Sequence, residues 1–329
     1  YIKGEKMKNK IKECLHYIFR RINFEKTAKF IHYKINKRLR FDLMRVYGIY
    51  PNIKYEYLGE QCQTRNDSTV RLFKLAFRKY EDLMKNKYIN MFIFTGDKPE
   101  DADFYRRLYK LKYIFAYSTE EKYKDKVIPI PDFIFDSWIE CGINDYQETV
   151  KNICEAGKQL YTDNRAFWIG STDKGTHITR ETLIRLGEKN SDKILSISTK
   201  WDTREKGRFQ KIKRYVTLED HCQYKYLIDI QSTGYSGRLK LLLWSNRVVF
   251  IVDRKYKEFY FKYLKDGENC IFIREDLSDL VEKINYIEKN PEIYKKIING
   301  SNILAEKYLN KDYVVEYIKD IILKYAKDR

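Results

Sequence analysis

Apolar residues follow two rhythms along this chain. Short runs rich in β-branched and aromatic side chains alternate with longer stretches in which apolar positions recur at helical spacing. The short runs predict strands at 88–94, 112–116, 126–130, 165–169, 193–198, 226–230, 247–252 and 270–273. The longer ones predict helices at 68–86, where Val70, Leu72, Phe73, Leu75, Ala76 and Leu83 supply the apolar positions, and at 145–160, 277–288, 291–308 and 313–326. The aromatic stretch 256–263 reads as helical, and 52–66 as loop or short strand. Strand and helix alternate as they do around parallel sheets, and two such sets flank a link near 146–164. The expected fold class is α/β, with two facing Rossmann-like domains and a cleft between them. Its parts are a basic helical segment at 1–45, a first domain at 46–150, a second at 151–310 and a terminal helix at 311–329 that packs back on the first.

Charge gives this outline a direction. The 329 residues carry 65 basic and 47 acidic side chains, a formal net charge of +18, which favours nucleic acid, an anionic membrane face or a nucleotide diphosphate. No zinc knuckle or RNP-type sequence supports a nucleic-acid reader, and no GxxxxGK[ST] supports a P-loop kinase or sulfotransferase. Hydrophobic content of 43% and aromatic content of 16% exclude a disordered chain. Cys14, Cys62, Cys141, Cys154, Cys222 and Cys270 are scattered without a CxxC pair or metal-ligand spacing, so they read as reduced thiols of a reducing compartment. No apolar run is long enough to span a bilayer, and no signal-peptide core is visible. In the basic segment 7–40, Ile11, Leu15, Ile18, Phe19 and Ile22 recur at helical spacing. It reads either as an amphipathic helix on an anionic bilayer or as a helix packed on the body with its charges solvated.

The candidate chemistry centres on 225–240, KYLIDIQSTGYSGRLK. A buried strand runs into a polar turn containing Gly234, Ser236 is a good N-cap, and a helix from Gly237 to Trp244 follows, with Arg238 in its first turn. A helix start of this kind suits phosphate, and Arg238 adds a planar bidentate donor. The other reading is an ordinary strand-to-helix connection with a solvated Arg. Asp97 follows the strand at 88–94, at a carboxyl edge where open α/β sheets place their sites; alone, it also reads as a turn residue that caps the next helix. Asp101-Ala102-Asp103 resembles a metal-holding DxD but sits where acids favour a helix start, so no metal is expected. Asp220 and His221 read as structural ahead of their strand.

Residues 219–227, followed by Gly234-Tyr235-Ser236-Gly237-Arg238-Leu239-Lys240, resemble the signature of glycosyltransferase family 90, and the similarity runs through 245–250, 257–260 and 276–280. It covers roughly 90–300, in a version similar to the bacterial and viral members. The resemblance implies a GT-B fold, a nucleotide-sugar domain at 151–310, an acceptor domain at 46–150 and inverting transfer without a metal or other cofactor. It implies Asp97 as catalytic base, with Asp132 and Asp136 as rivals. Asp132, Asp136 and Trp138 fall in a segment similar to the acceptor side of bacterial members, where Trp138 stacks on a sugar or belongs to the core. Gly170, Ser171, Thr172 and Arg180 match the donor site, together with Gly234, Tyr235, Ser236, Gly237 and Arg238, while Glu258 stands where many two-domain sugar transferases hold ribose. Trp168-Ile169 replaces a Phe-Arg of eukaryotic members, so one family Arg contact is missing or replaced. The implied activity moves glucose or xylose from a UDP-sugar to a glycan such as lipopolysaccharide core or capsule. The implied location is the cytoplasm, peripheral on the inner face of the membrane through residues 7–40, with no nucleic-acid partner. The alternatives are a nucleic-acid-binding basic protein and an inactive glycan-binding relative.

Overall fold

The computed structural model describes residues 42–58, 62–172, 177–199 and 216–328. The basic segment 7–40 and residues 200–215 lie outside them. The first sheet has the order β2-β1-β3-β4-β5, with β1 Leu43–Ile49, β2 Asn52–Tyr57, β3 Lys87–Phe94, β4 Ile114–Ala116 and β5 Val127–Pro129. β3, β4 and β5 are parallel, while the hairpin β1-β2 joins β3 antiparallel. The sequence reading has no β1; of its loop or short strand at 52–66, the strand is β2, and the end of that stretch is already the start of helix α1 Gln63–Lys79. Val70, Phe73, Ala76 and Phe77 of α1 bury one face of the sheet, against Met44, Val46, Ile89, Met91 and Ile93. After the short helix α2 Glu81–Met84 and strand β3, helix α3 Pro99–Leu108 covers the other face through Ala102 and Tyr105.

Helix α4 Tyr146–Gly157, N-capped by Asp145, links the halves. The second sheet is wholly parallel, in the order β10-β9-β8-β6-β7, with β6 Asp163–Ser171, β7 Ile194–Thr199, β8 Tyr224–Asp229, β9 Val248–Val252 and β10 Ile271–Ile273. Every residue of β9 is buried, as a central parallel strand with both faces covered requires. Helices α5 His177–Lys189, α8 Leu280–Lys289 and α9 Pro291–Tyr308 contribute to one covering layer, and the four-residue helices α6 Leu218–His221 and α7 Leu239–Leu242 lie on the other side. The strand order reverses between β6 and β8, and open sheets of this kind take ligands beyond the carboxyl ends at that switch point.

The chain then returns to the first half. Helix α10 Lys311–Tyr325 packs on α1, and β11 Lys327–Asp328 pairs with the start of β3. Tyr146, at the start of α4, donates its hydroxyl to the carbonyl of Leu309 at 2.8 Å and accepts from Trp244 Nε1 at 3.1 Å, so the two segments that pass between the halves are tied together. The fold is GT-B: two α/β sheets whose carboxyl ends face each other, with one hydrophobic core running through the contact. Among the described residues no helix is long and apolar enough to cross a membrane, and Cys62, Cys141, Cys154, Cys222 and Cys270 are free thiols.

Candidate active site

Two arginines meet at the switch point of the second sheet. Arg180, in the first turn of α5, is buried; its Nη1 donates to the carbonyl of Ser171 at 2.7 Å, and its Nε and Nη2 donate to that of Gln231 at 3.2 and 2.8 Å. It thus spans the ends of β6 and β8. Arg238 donates Nη1 to the carbonyl of Ile169 at 2.7 Å and is partly exposed. Among the described residues neither forms a salt bridge. Burial holds the Arg180 pKa down to about 10, with the neighbouring Arg238 adding to the effect, and burial likewise lowers Arg238. Two guanidinium groups that hold only carbonyls form a site ready for an anion. Gly170, with Trp168 beneath it, and Thr172, within 2.7 Å of Ser198 Oγ, edge the same end of the sheet.

The turn beneath Arg238 differs from the sequence expectation. Ser236 does not cap a helix running to Trp244: its hydroxyl donates to Asp229 Oδ1 at 2.6 Å, and the helix is confined to Leu239–Leu242. A buried carboxylate seven residues back takes the hydroxyl that a cap would have used, so charge here comes from arginine and not from a helix end. Asp229 also pairs with Arg254 at 2.7 Å, both side chains at 0% exposure. Glu258 lies beside that pair, 4% exposed, accepting from Tyr260 at 3.1 Å. Burial pushes its carboxyl up to about 7 against the pull of Arg254 and Lys240. The expected helix at 256–263 is only a turn at 259–260 and a single 3-10 turn Phe261–Tyr263, and Glu258, expected at a ribose, is buried just before it. Tyr235 is also internal, edge-on to Tyr117 at 6.1 Å.

Across the seam stands Asp97, just past β3. Its Oδ1 accepts from Arg65 Nη1 at 2.9 Å, and its side chain keeps 41% exposure. Arg65 comes from α1 and lies over the Phe133 ring at 4.9 Å; nothing local in the sequence announced this pairing. Asp42, before β1, belongs to the same cluster: burial holds its carboxyl up at about 6, with Arg65 opposing and the charges of Asp97 and Asp101 adding. The rival carboxylates are engaged elsewhere. Asp132 is 2% exposed, caps the turn Phe133–Phe135 and pairs with Lys240 at 2.7 Å. Asp136 pairs with Arg71 at 2.7 Å and Lys311 at 3.4 Å. Asp103 of the DxD look-alike pairs with Arg106 and Arg107 on its own helix. His221 is buried, with Nδ1 2.6 Å from the Thr217 carbonyl, and burial lowers its pKa to about 3.

The ends touch. A Cβ on Gly234 would stand 1.9 Å from the Asp97 carbonyl oxygen, so only glycine lets the loop after β8 lie against the turn bearing Asp97. Gly237 packs in the same way on Ile134 and on Trp138, a half-buried ring edge-on to Phe133 at 5.6 Å. Tyr256 donates to Glu100 at 2.7 Å across the same seam.

Known proteins resemble this chain in part. Protein O-glucosyltransferase 1 of Rattus norvegicus is 27% identical over 168 residues, 50% of this chain and 42% of the relative. Protein O-glucosyltransferase 2 of Danio rerio is 30% identical over 165 residues, 50% of this chain and 32% of the relative. The chain therefore spans less than half the length of these curated relatives. Among solved structures, Anabaena HepE in complex with UDP-glucose superposes with a TM-score of 0.40 at 12% identity, over 70% of this chain and 71% of that one. TarM gives 0.37 at 17% identity, over 51% and 36%. The family described as Glycosyl transferase family 90 matches residues 23–328, nearly the whole chain, and the chain belongs to that family.

Proposed function

We propose that this chain is an inverting glycosyltransferase that moves a sugar, glucose or xylose favoured, from a UDP-sugar to a hydroxyl of a glycan acceptor such as lipopolysaccharide core or capsule. The observation that supports it best is the placement of Arg180 and Arg238, without carboxylate partners among the described residues, across a closed seam from the half-exposed Asp97. In this reading Asp97 takes the proton of the acceptor hydroxyl as its oxygen forms a bond to the anomeric carbon from the face opposite the leaving group. The bond from that carbon to the diphosphate oxygen breaks, and UDP leaves with the electron pair. Charge grows on the diphosphate, where Arg238 stabilises it more in the transition state than in the bound donor. Arg180 holds the two strand ends that frame the site. Arginine supplies the positive charge, so the rate is insensitive to EDTA.

Family membership and the glucosyl transfer named in the relatives support the donor class. Those names describe protein acceptors for the relatives, which are animal proteins, so placement among bacterial or viral members and a polysaccharide acceptor belong to the proposal. So do a cytoplasmic location and adsorption of residues 7–40 to an anionic membrane face. The test is a panel of nucleotide sugars for binding and slow hydrolysis, with glycan and protein hydroxyls as acceptors. One UDP-sugar that binds and hydrolyses, lost in Arg238→Ala, sustains the reading; a wild-type chain that binds none overturns it.

A further inference from the structure

Lys240 is a lysine with no exposed surface. Its Nζ stands 2.7 Å from Asp132 Oδ2 in the first half and donates to the Gly237 carbonyl at 2.9 Å in its own loop, with Phe135 and Tyr235 rings 5.5 and 5.7 Å away. A well-packed apolar pair of similar volume is often as stable as a buried ion pair, so stability alone does not call for charge here. An ammonium instead demands oxygen partners, because a buried N–H donor left without one is costly. The oxygen it takes in the loop is informative: the Gly237 carbonyl lies in the rigid peptide plane shared with the amide of Arg238.

We infer, on the reading given above, that Lys240 and Asp132 are a positioning pair that ties the Gly237–Arg238 peptide to the first half and so sets the distance between the diphosphate-binding Arg238 and the base Asp97. The bare glycines beside it fit this role, since Gly234 and Gly237 let the loop lie directly on Asp97, Ile134 and Trp138. The pair touches neither donor nor acceptor; it acts through Arg238.

The test separates rate from folding. Lys240→Met and Asp132→Asn each strand one buried charge and lower the melting temperature. The double variant removes both charges at similar volume and regains it. If the pair positions Arg238, the double variant melts like wild type, keeps its Kd for UDP within a few-fold, and still shows kcat about 10- to 100-fold down, the scale of a slight misplacement of reacting groups. Recovery of kcat together with the melting temperature overturns the inference. A second arm does not depend on those variants folding. Gly237→Ala places a methyl 2.7 Å from Ile134 Cδ1, and Ile134→Val deletes that carbon. Gly237→Ala lowers kcat and adding Ile134→Val restores it; an unchanged kcat in Gly237→Ala overturns the inference. A wild-type chain that binds no UDP-sugar is a different result, which removes the transferase reading and this inference with it.

Discussion

The two ends that meet at the seam manage charge in opposite ways. At the second sheet, Arg180 and Arg238 donate to backbone carbonyls, and among the described residues neither forms a salt bridge. At the first sheet, Asp97 already has its cation in Arg65, and burial holds a second carboxyl nearby, Asp42, up at about 6. One end holds its cations without a salt bridge; the other holds its cation against carboxylates. That difference is what a reaction with an anionic leaving group and a neutral nucleophile requires of its two sides.

Substitutions test the contrast directly. Asp97→Asn keeps the shape of the first sheet's end but removes its base; transfer falls by about 10²- to 10⁴-fold while the Kd for UDP is unchanged, measured by turnover and calorimetry. Equal loss of UDP binding would erase the distinction between the ends. Arg238→Ala acts on the other side: a lost charged hydrogen bond to diphosphate weakens UDP by about 10- to 100-fold. Arg180→Met deprives the Ser171 and Gln231 carbonyls of this donor, and urea unfolding shows a loss of about 1–3 kcal/mol. The smallest effect is in pH. Asp42 is raised from 3.8 to about 6 and Glu258 from 4.5 to about 7, both chiefly by burial. A carboxyl raised on folding holds a proton that the unfolded chain releases, so stability is greatest below the ordinary carboxylate range and falls as pH rises to each folded value. Asp42→Asn removes the part of that fall which ends near pH 6, and Glu258→Gln the part which ends near pH 7, as melting temperature against pH resolves.

What the sequence disclosed and what it hid follow one rule. Strands such as Val248–Val252 were legible because burial on both faces leaves an uninterrupted apolar run. Strand Leu43–Ile49 was not, because Arg45 and Tyr47 break its run on the partly exposed face and the basic segment adjoins it. At the site, Arg238 and Asp97 were picked out through the family resemblance, since local spacing alone left Asp97 readable as a turn residue and Arg238 as a solvated one. Their settings could not be read this way: the cation of Asp97 lies 32 residues away, Ser236 answers to a strand-end carboxylate, and the carboxylate partner of Lys240 lies in the other half. Motif resemblance finds the candidate groups; the partners that hold them are fixed by tertiary contacts that no window of sequence contains.

The knot at Tyr146 has a mechanical consequence. Two rigid bodies joined by a single strap can twist as well as fold. Here the chain passes between the halves twice, and the hydrogen bond from Tyr146 to Leu309 brings both passages to one place. Twisting about the strap is thereby suppressed, and one bending coordinate through that place is the freedom the covalent path leaves. A movement that parted Gly234 from Asp97 would therefore have to bend the molecule through this one place.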